Sequence, residues 1–218
     1  MSLQDHSKIE KQLSEAWQKV QNADRQKWFL LGVIAVATTM NHRPLLEKWL
    51  PMSKEILGEE AIEETILQTL LFAGFPKTIE ALKVLREFFP VSQGSKHVSD
   101  HKQAGEETSR IIYGKYHGKL KLVMDELHPD LTRWMIEDGY GRVLSRSGLT
   151  IQEREIAVLG SLMASGMIEQ YRAHLRGTRY TGVLKVDIIW FTNTFECIIA
   201  ADLKDDFTEL TRKMLESQ

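Results

Sequence analysis

An all-α fold is what the sequence predicts. Its 218 residues include only five prolines, apolar side chains recur at intervals of three and four, and no run alternates with a period of two between turn residues. A first helix is expected near 7–20, where Ile9, Leu13, Ala16, Trp17 and Val20 fall on one stripe. A second starts after Asn22 or Asp24, either of which can cap free N–H groups, and continues through Phe29, Val33, Val36 and Ala37. Helices near 44–57 and 59–72 follow, separated at Gly58, a residue suited to the left-handed turn that ends a helix. Beyond the break Gly74-Phe75-Pro76, another helix runs through Ile79, Leu82 and Leu85.

From about 90 to 105 Ser, Gly, Lys, His and Asp displace the apolar stripe, which marks a solvated linker. Helical pattern returns near 106–116, in a short piece near 120–127, and after Pro129, which suits a first helical turn, as far as about Tyr140. The strongest helix start is Thr150, since Glu153 three residues later completes a capping box. The apolar pattern Ile156, Leu159, Leu162, Met163 then stops at Gly166. The last helices are expected near 168–180, 184–201 and 205–215.

The two halves overlay on each other. Asp24-Arg25-Gln26-Lys27 opens a long apolar helix as Gln152-Glu153-Arg154-Glu155 does, Leu31-Gly32 falls on Leu159-Gly160, Trp49-Leu50 on His174-Leu175, and Gly58 on Gly182. Two repeats, near 24–89 and 150–216, are therefore expected to bury their apolar faces on each other as one domain over 1–218.

Composition removes several function classes. A formal charge of −2 and a pI near 6.4 give no basic field for a phosphate backbone, so no nucleic-acid partner is expected. The longest apolar run near the start, 28–39, is shorter than the roughly 20 residues that span a bilayer. It also lies too far along the chain for a signal peptide, so no membrane partner is expected. The single cysteine, Cys197, cannot form an intrachain disulfide, which fits a reducing cytoplasm and excludes intrachain dithiol chemistry.

No phosphate-binding loop, dinucleotide glycine fingerprint, nucleophile elbow, metalloprotease His-Glu pair or Cys-x-x-Cys occurs. His97 and His101 are four apart, a spacing that can hold a metal on a helix face, but they fall in the linker, and no metal site is expected. His117 and His128 read as capping or solvated residues. The segment 153–182 differs. Glu155 lies in the first turn of one helix and His174 near the middle of the next, about 16 Å and 12 Å from the turn at Gly166, so antiparallel packing brings them to one level. A gap of a few ångströms is expected between them. Spacing alone favours a surface glutamate and a hydrogen-bonded histidine packed between helices.

The run Tyr140-Gly141, Arg146-Ser147-Gly148-Leu149, Arg154-Glu155, Gln170, His174 and Arg176-Gly177 resembles the C-terminal signature of the carboxymuconolactone decarboxylase family, within the alkylhydroperoxidase-D-like superfamily. A second segment, with Glu64-Thr65, Gln68, Ala73-Gly74-Phe75-Pro76 and Ala81-Leu82, resembles the family's other recurrent stretch. The resemblance implies the family's helical fold, with Glu155 and His174 as its acid–base pair. Peroxidases of the superfamily use a Cys-x-x-Cys pair ahead of that histidine; Met167 and Gln170 occupy those positions here, so the thiol route is excluded. Departures from the pattern at 178–182 and 197–200 leave the substrate open, and Lys27 and Trp49 replace the pair in the first repeat.

By this resemblance the activity is cofactor-free decarboxylation of a carboxylated unsaturated lactone. His174 donates the proton or stabilises the enolate, Glu155 orients it, and Arg172, Arg176 and Arg142 are candidate carboxylate clamps. A hydrolase or isomerase using the same pair, or a non-catalytic structural or regulatory protein, are the alternatives. Replacing His174 by Ala is expected to leave the fold intact. Single-repeat members form rings of six, which implies a homotrimer for two repeats, and helices apolar on more than one face fit such burial.

Overall fold

The computed structural model describes residues 3–91 and 100–216, and among these every regular element is helical. The order is α1 (Leu3–Trp17), α2 (Ala23–Met40), α3 (Arg43–Leu57), α4 (Glu59–Gln68), α5 (Leu70–Phe88), α6 (His101–Tyr113), α7 (His117–Leu127), α8 (Pro129–Trp134), α9 (Ile151–Ser165), α10 (Ile168–Tyr180), α11 (Lys185–Phe195) and α12 (Lys204–Glu216). A 3₁₀ turn, Gly114–Tyr116, joins α6 to α7, and α8 passes directly into a ten-residue π-helix, Met135–Leu144.

Local chemistry accounts for several boundaries. Asn22 caps α2 by accepting the Arg25 N–H, and His128 caps α8 by accepting the Asp130 N–H ahead of Pro129. Some boundaries differ from the sequence expectation. The helix read at 59–72 ends at Gln68, and the Gly74 break lies inside α5 as a kink (φ 75°, ψ 169°). Near 184–201 the helix stops at Phe195 and a 3₁₀ turn, Glu196–Ile198, turns Ile198 and Ile199 into the core. Helix α6 begins at His101, capped by Asp100, rather than near 106.

The reason polar residues 101–105 are helical is tertiary. Gly105 of α6 and Gly141 of the π-helix let two backbones meet: a Cβ on Gly105 would overlap the Ile136 carbonyl, and one on Gly141 the carbonyl of His101. No side chain fits either position. We therefore expect Gly141→Ala to cost about 1–3 kcal/mol, the usual penalty of overpacking, read as a lower urea midpoint; an unchanged midpoint would place these helices apart.

Two helices make the centre. Every residue of α2 from Phe29 to Thr39 is buried, as is every residue of α9 from Arg154 to Met163. An all-round apolar helix belongs inside a helical layer rather than on its surface. The two pack directly, with Gly160 against Gly32: a Cβ on Gly160 would stand 3.3 Å from the Gly32 carbonyl oxygen. The main core extends from this pair to Leu45 and Trp49 of α3, Tyr171 and Leu175 of α10, and Phe191 and Phe195 of α11. A satellite core of Ile112, Tyr113, Ile136, Tyr140 and Leu144 lies between α6 and the π-helix, against Ala173 of α10. Among the described residues no helix is long and apolar enough to cross a membrane.

Candidate active site

The hairpin of α9 and α10 sets the site. Its first helix is fixed at the start by the expected capping box: the Glu153 N–H donates to Thr150 Oγ1, and the Thr150 N–H donates to Glu153 Oε2 at 2.8 Å. Its far end closes at Gly166, in the left-handed conformation (φ 70°, ψ 21°), with the Met167 N–H donating to the Leu162 carbonyl. The turn sends α10 back along α9. Glu155 and His174 then meet without the expected gap: His174 Nδ1 stands 3.1 Å from Glu155 Oε2 and 3.2 Å from Oε1. Glu155 is fully buried, which removes the alternative of a surface glutamate.

Gly177, one turn beyond His174, admits the carboxylate. A Cβ there would stand 2.6 Å from Glu155 Oε2 and 2.5 Å from Ile112 Cγ2. A carboxylate this deep is tolerated only with a matched partner. The partner is His174, whose Nδ1–H donates to it in either the neutral or the charged ring, while Nε2 faces the other way.

On that side stand groups the sequence reading did not select. Tyr113 Oη lies 3.4 Å from His174 Nε2 and 2.7 Å from Tyr140 Oη, and the Phe72 ring meets the imidazole edge-on at 6.0 Å between centroids. Burial, reinforced by the Glu155 charge, pushes the Tyr113 hydroxyl well above its usual pKa. Tyr140 is raised likewise, by burial first and then by Tyr113. Both phenols therefore remain protonated over any ordinary pH. Tyr140 belongs to the Tyr-Gly motif. Tyr113 lies outside both signature segments, and nothing in the sequence signals its role.

The three candidate arginines separate. Arg142 donates to Asp138 on the exposed side of the π-helix. Arg172 pairs with Glu169 at 3.4 Å. Arg176 is exposed and stands over the Tyr116 ring at 5.9 Å. None of them reaches Glu155 or His174 by a hydrogen bond or ion pair among the described residues. Arg176 does line a cleft of about 300 Å³ whose wall also includes Tyr113 and Ala173, the neighbour of His174. Neither Glu155 nor His174 lines this cleft or any of four others among the described residues.

A second buried network joins the two signature segments. Arg154, 1% exposed, donates from Nη2 to Glu64 Oε2 and to the carbonyls of Arg146 and Ser147, and from Nη1 to Gln68 Oε1. Glu64 also receives Arg146 at 2.7 Å. Burial lowers the Arg154 pKa, opposed by Glu64, while the hydrogen bond to Glu64 raises that of Arg146.

His117 is not the capping or solvated residue expected. It is buried, with Nδ1 3.0 Å from Ser109 Oγ and Nε2 2.9 Å from Glu106 Oε2. Lys121 holds the same carboxylate and lowers its pKa. Ser109 is fully buried and cannot meet a substrate, so this is a structural clamp between α6 and α7. Among the described residues no three His, Cys, Asp or Glu side chains converge as a metal site; His97 lies outside those residues, and His101 opens α6.

Cys197, half-buried, lines a separate cleft of about 900 Å³. Burial pushes its thiol up to about 11. Its reaction with a disulfide reagent at pH 8 is expected to be about a hundredfold slower than that of a free cysteine, because the thiolate is the nucleophile. A normal rate, followed by absorbance, would contradict this burial.

No family model matches the chain, and no curated protein matches it.

Proposed function

We propose that the chain is a cofactor-free carboxy-lyase acting on a carboxylated unsaturated lactone, with Glu155 and His174 as its acid–base pair. The observation that carries this reading is the continuous run from Glu155 through His174 to Tyr113, whose last member borders the cleft that holds Arg176. Loss of CO₂ leaves an electron pair that the conjugated lactone carbonyl takes up as an enolate. The Tyr113 hydroxyl then protonates carbon as the Nε2–H of a doubly protonated His174 returns a proton to Tyr113. Glu155 balances the imidazolium before transfer and orients the neutral ring after it. Arg176 holds the carboxylate that is not lost.

Two further features support the family reading. The residues of its two segments, Glu64 and Gln68 on one side and Arg146 and Arg154 on the other, meet in one buried network. Gly32 and Gly160, equivalent in the overlay of the halves, touch across the α2/α9 crossing, as equivalent residues do on a pseudo-twofold axis. The reading includes a homotrimer. Phe75, Leu184 and Val186 are all more than half exposed in the single chain and supply apolar surface for it. Light scattering at micromolar concentration is expected to give three times 25.1 kDa, and a monodisperse monomer would reject it.

The reaction is tested by CO₂ release from carboxymuconolactone. Release that depends on His174 is the expected result; no release by wild-type protein would overturn the assignment. One observation favours a second reading, a non-catalytic protein of the same fold: Glu155 is sealed by packing and His174 borders none of the clefts described above.

A further inference from the structure

We infer that the groove between the 3₁₀ turn Gly114–Tyr116, α10 and the end of α12 is a binding site for a planar ring carrying two or more oxyanions. It goes beyond the proposed reaction and does not depend on it. The groove, about 760 Å³, includes Lys115, Arg176 and Arg179 together with Tyr116 and Tyr180, and shares Tyr116, Arg176 and Tyr180 with the 300 Å³ cleft beside it. Among the described residues no aspartate or glutamate lies in the wall of either, in a chain whose net charge is −2.

Ion pairing singles out this place. Every other arginine of the chain holds a carboxylate: Arg25, Arg43, Arg86, Arg110, Arg133, Arg142, Arg146, Arg154, Arg172 and Arg212. Among the described residues Arg176 and Arg179 hold none, and both are in the groove. Arg179 Nη1 is moreover buried without a hydrogen-bond partner among the described residues. A buried guanidinium N–H left unpaired is costly, and an oxyanion reaching it recovers a charge-assisted bond. Lys213, also in the wall, is engaged by Glu209 and is not needed.

The aromatic residues give the ligand its shape. Tyr116 and Tyr180 meet at a steep angle, with centroids 6.3 Å apart, and both are more than one-third exposed. Lys115 and Arg176 stand 5.3 Å and 5.9 Å from the Tyr116 ring. Exposed rings flanked by cations offer a flat anion an apolar face and charge at its rim. Sharing Arg176 makes an occupant of this groove compete with a carboxylate in the smaller cleft.

Titration calorimetry on the full chain tests this with trimesate, phenyl phosphate, cyclohexane-1,3,5-tricarboxylate and inorganic phosphate. An aryl anion is expected to bind, and the tighter of trimesate and phenyl phosphate identifies the acid. The cyclohexane analogue and phosphate are expected to bind at least about tenfold more weakly, as is the preferred aryl anion to Arg179→Gln or Lys115→Gln; that factor corresponds to 1.4 kcal/mol. Arg133→Gln, outside the wall of the groove, and His174→Asn should bind as wild type, so that failure of the proposed reaction leaves this result standing. Absence of heat with both aryl anions, equal binding of phosphate, or wild-type affinity in both groove variants would overturn the inference.

Discussion

His174→Asn is expected to keep the helical fold and lose at least about a hundredfold in CO₂ release, the lower range for general acid–base catalysis. The asparagine amide nitrogen can stand near the place of Nδ1 and still donate to Glu155, so the buried carboxylate keeps a partner. What disappears is the ring nitrogen that faces Tyr113. Alanine is the less informative variant. It strands a fully buried carboxylate, and breaking a buried pair in this way costs about 3–5 kcal/mol. The sequence-based expectation that alanine leaves the fold untouched is thus revised by the burial of Glu155. Circular dichroism melting separates the two effects from turnover, and undiminished release by a folded His174→Asn protein would reject the acid–base assignment.

Glu64→Ala is expected to be strongly destabilising. The carboxylate receives both Arg146 and the almost fully buried Arg154, so its removal leaves Arg154 without its counter-charge. A loss of about 3–5 kcal/mol is expected, a large share of the roughly 5–15 kcal/mol that holds a domain folded. Urea denaturation measures it. Arg146→Ala is the milder control, because Arg154 then keeps both Glu64 and Gln68. A Glu64→Ala midpoint no lower than that of Arg146→Ala would show that the network contributes little.

Much of this arrangement was legible in the residues. Thr150 and Glu153 name a capping box, Gly166 names a turn, and counting along two helices from that turn puts Glu155 opposite His174. These are local rules, and they held wherever a helix is set by its own caps and stripe. They failed where packing decides. Residues 101–105 look like linker because they carry no apolar stripe, yet they are helical because Gly105 and Gly141 let α6 press on the π-helix. His117 looked solvated for the same reason. Its partners Ser109 and Glu106 are sequence neighbours, but their burial comes from the packing around them.

By itself, then, the sequence determined the helical class, the principal caps and turns, and the level at which Glu155 and His174 meet, because each depends on interactions within a few residues. Only the tertiary structure decided that the pair is in direct contact and sealed, that Tyr113 faces Nε2, that Arg142 and Arg172 are held by Asp138 and Glu169, and that Arg176 and Arg179 line one groove. The reason is physical: burial and ion pairing depend on which helix lies across from a side chain, and that partner comes from a distant part of the chain.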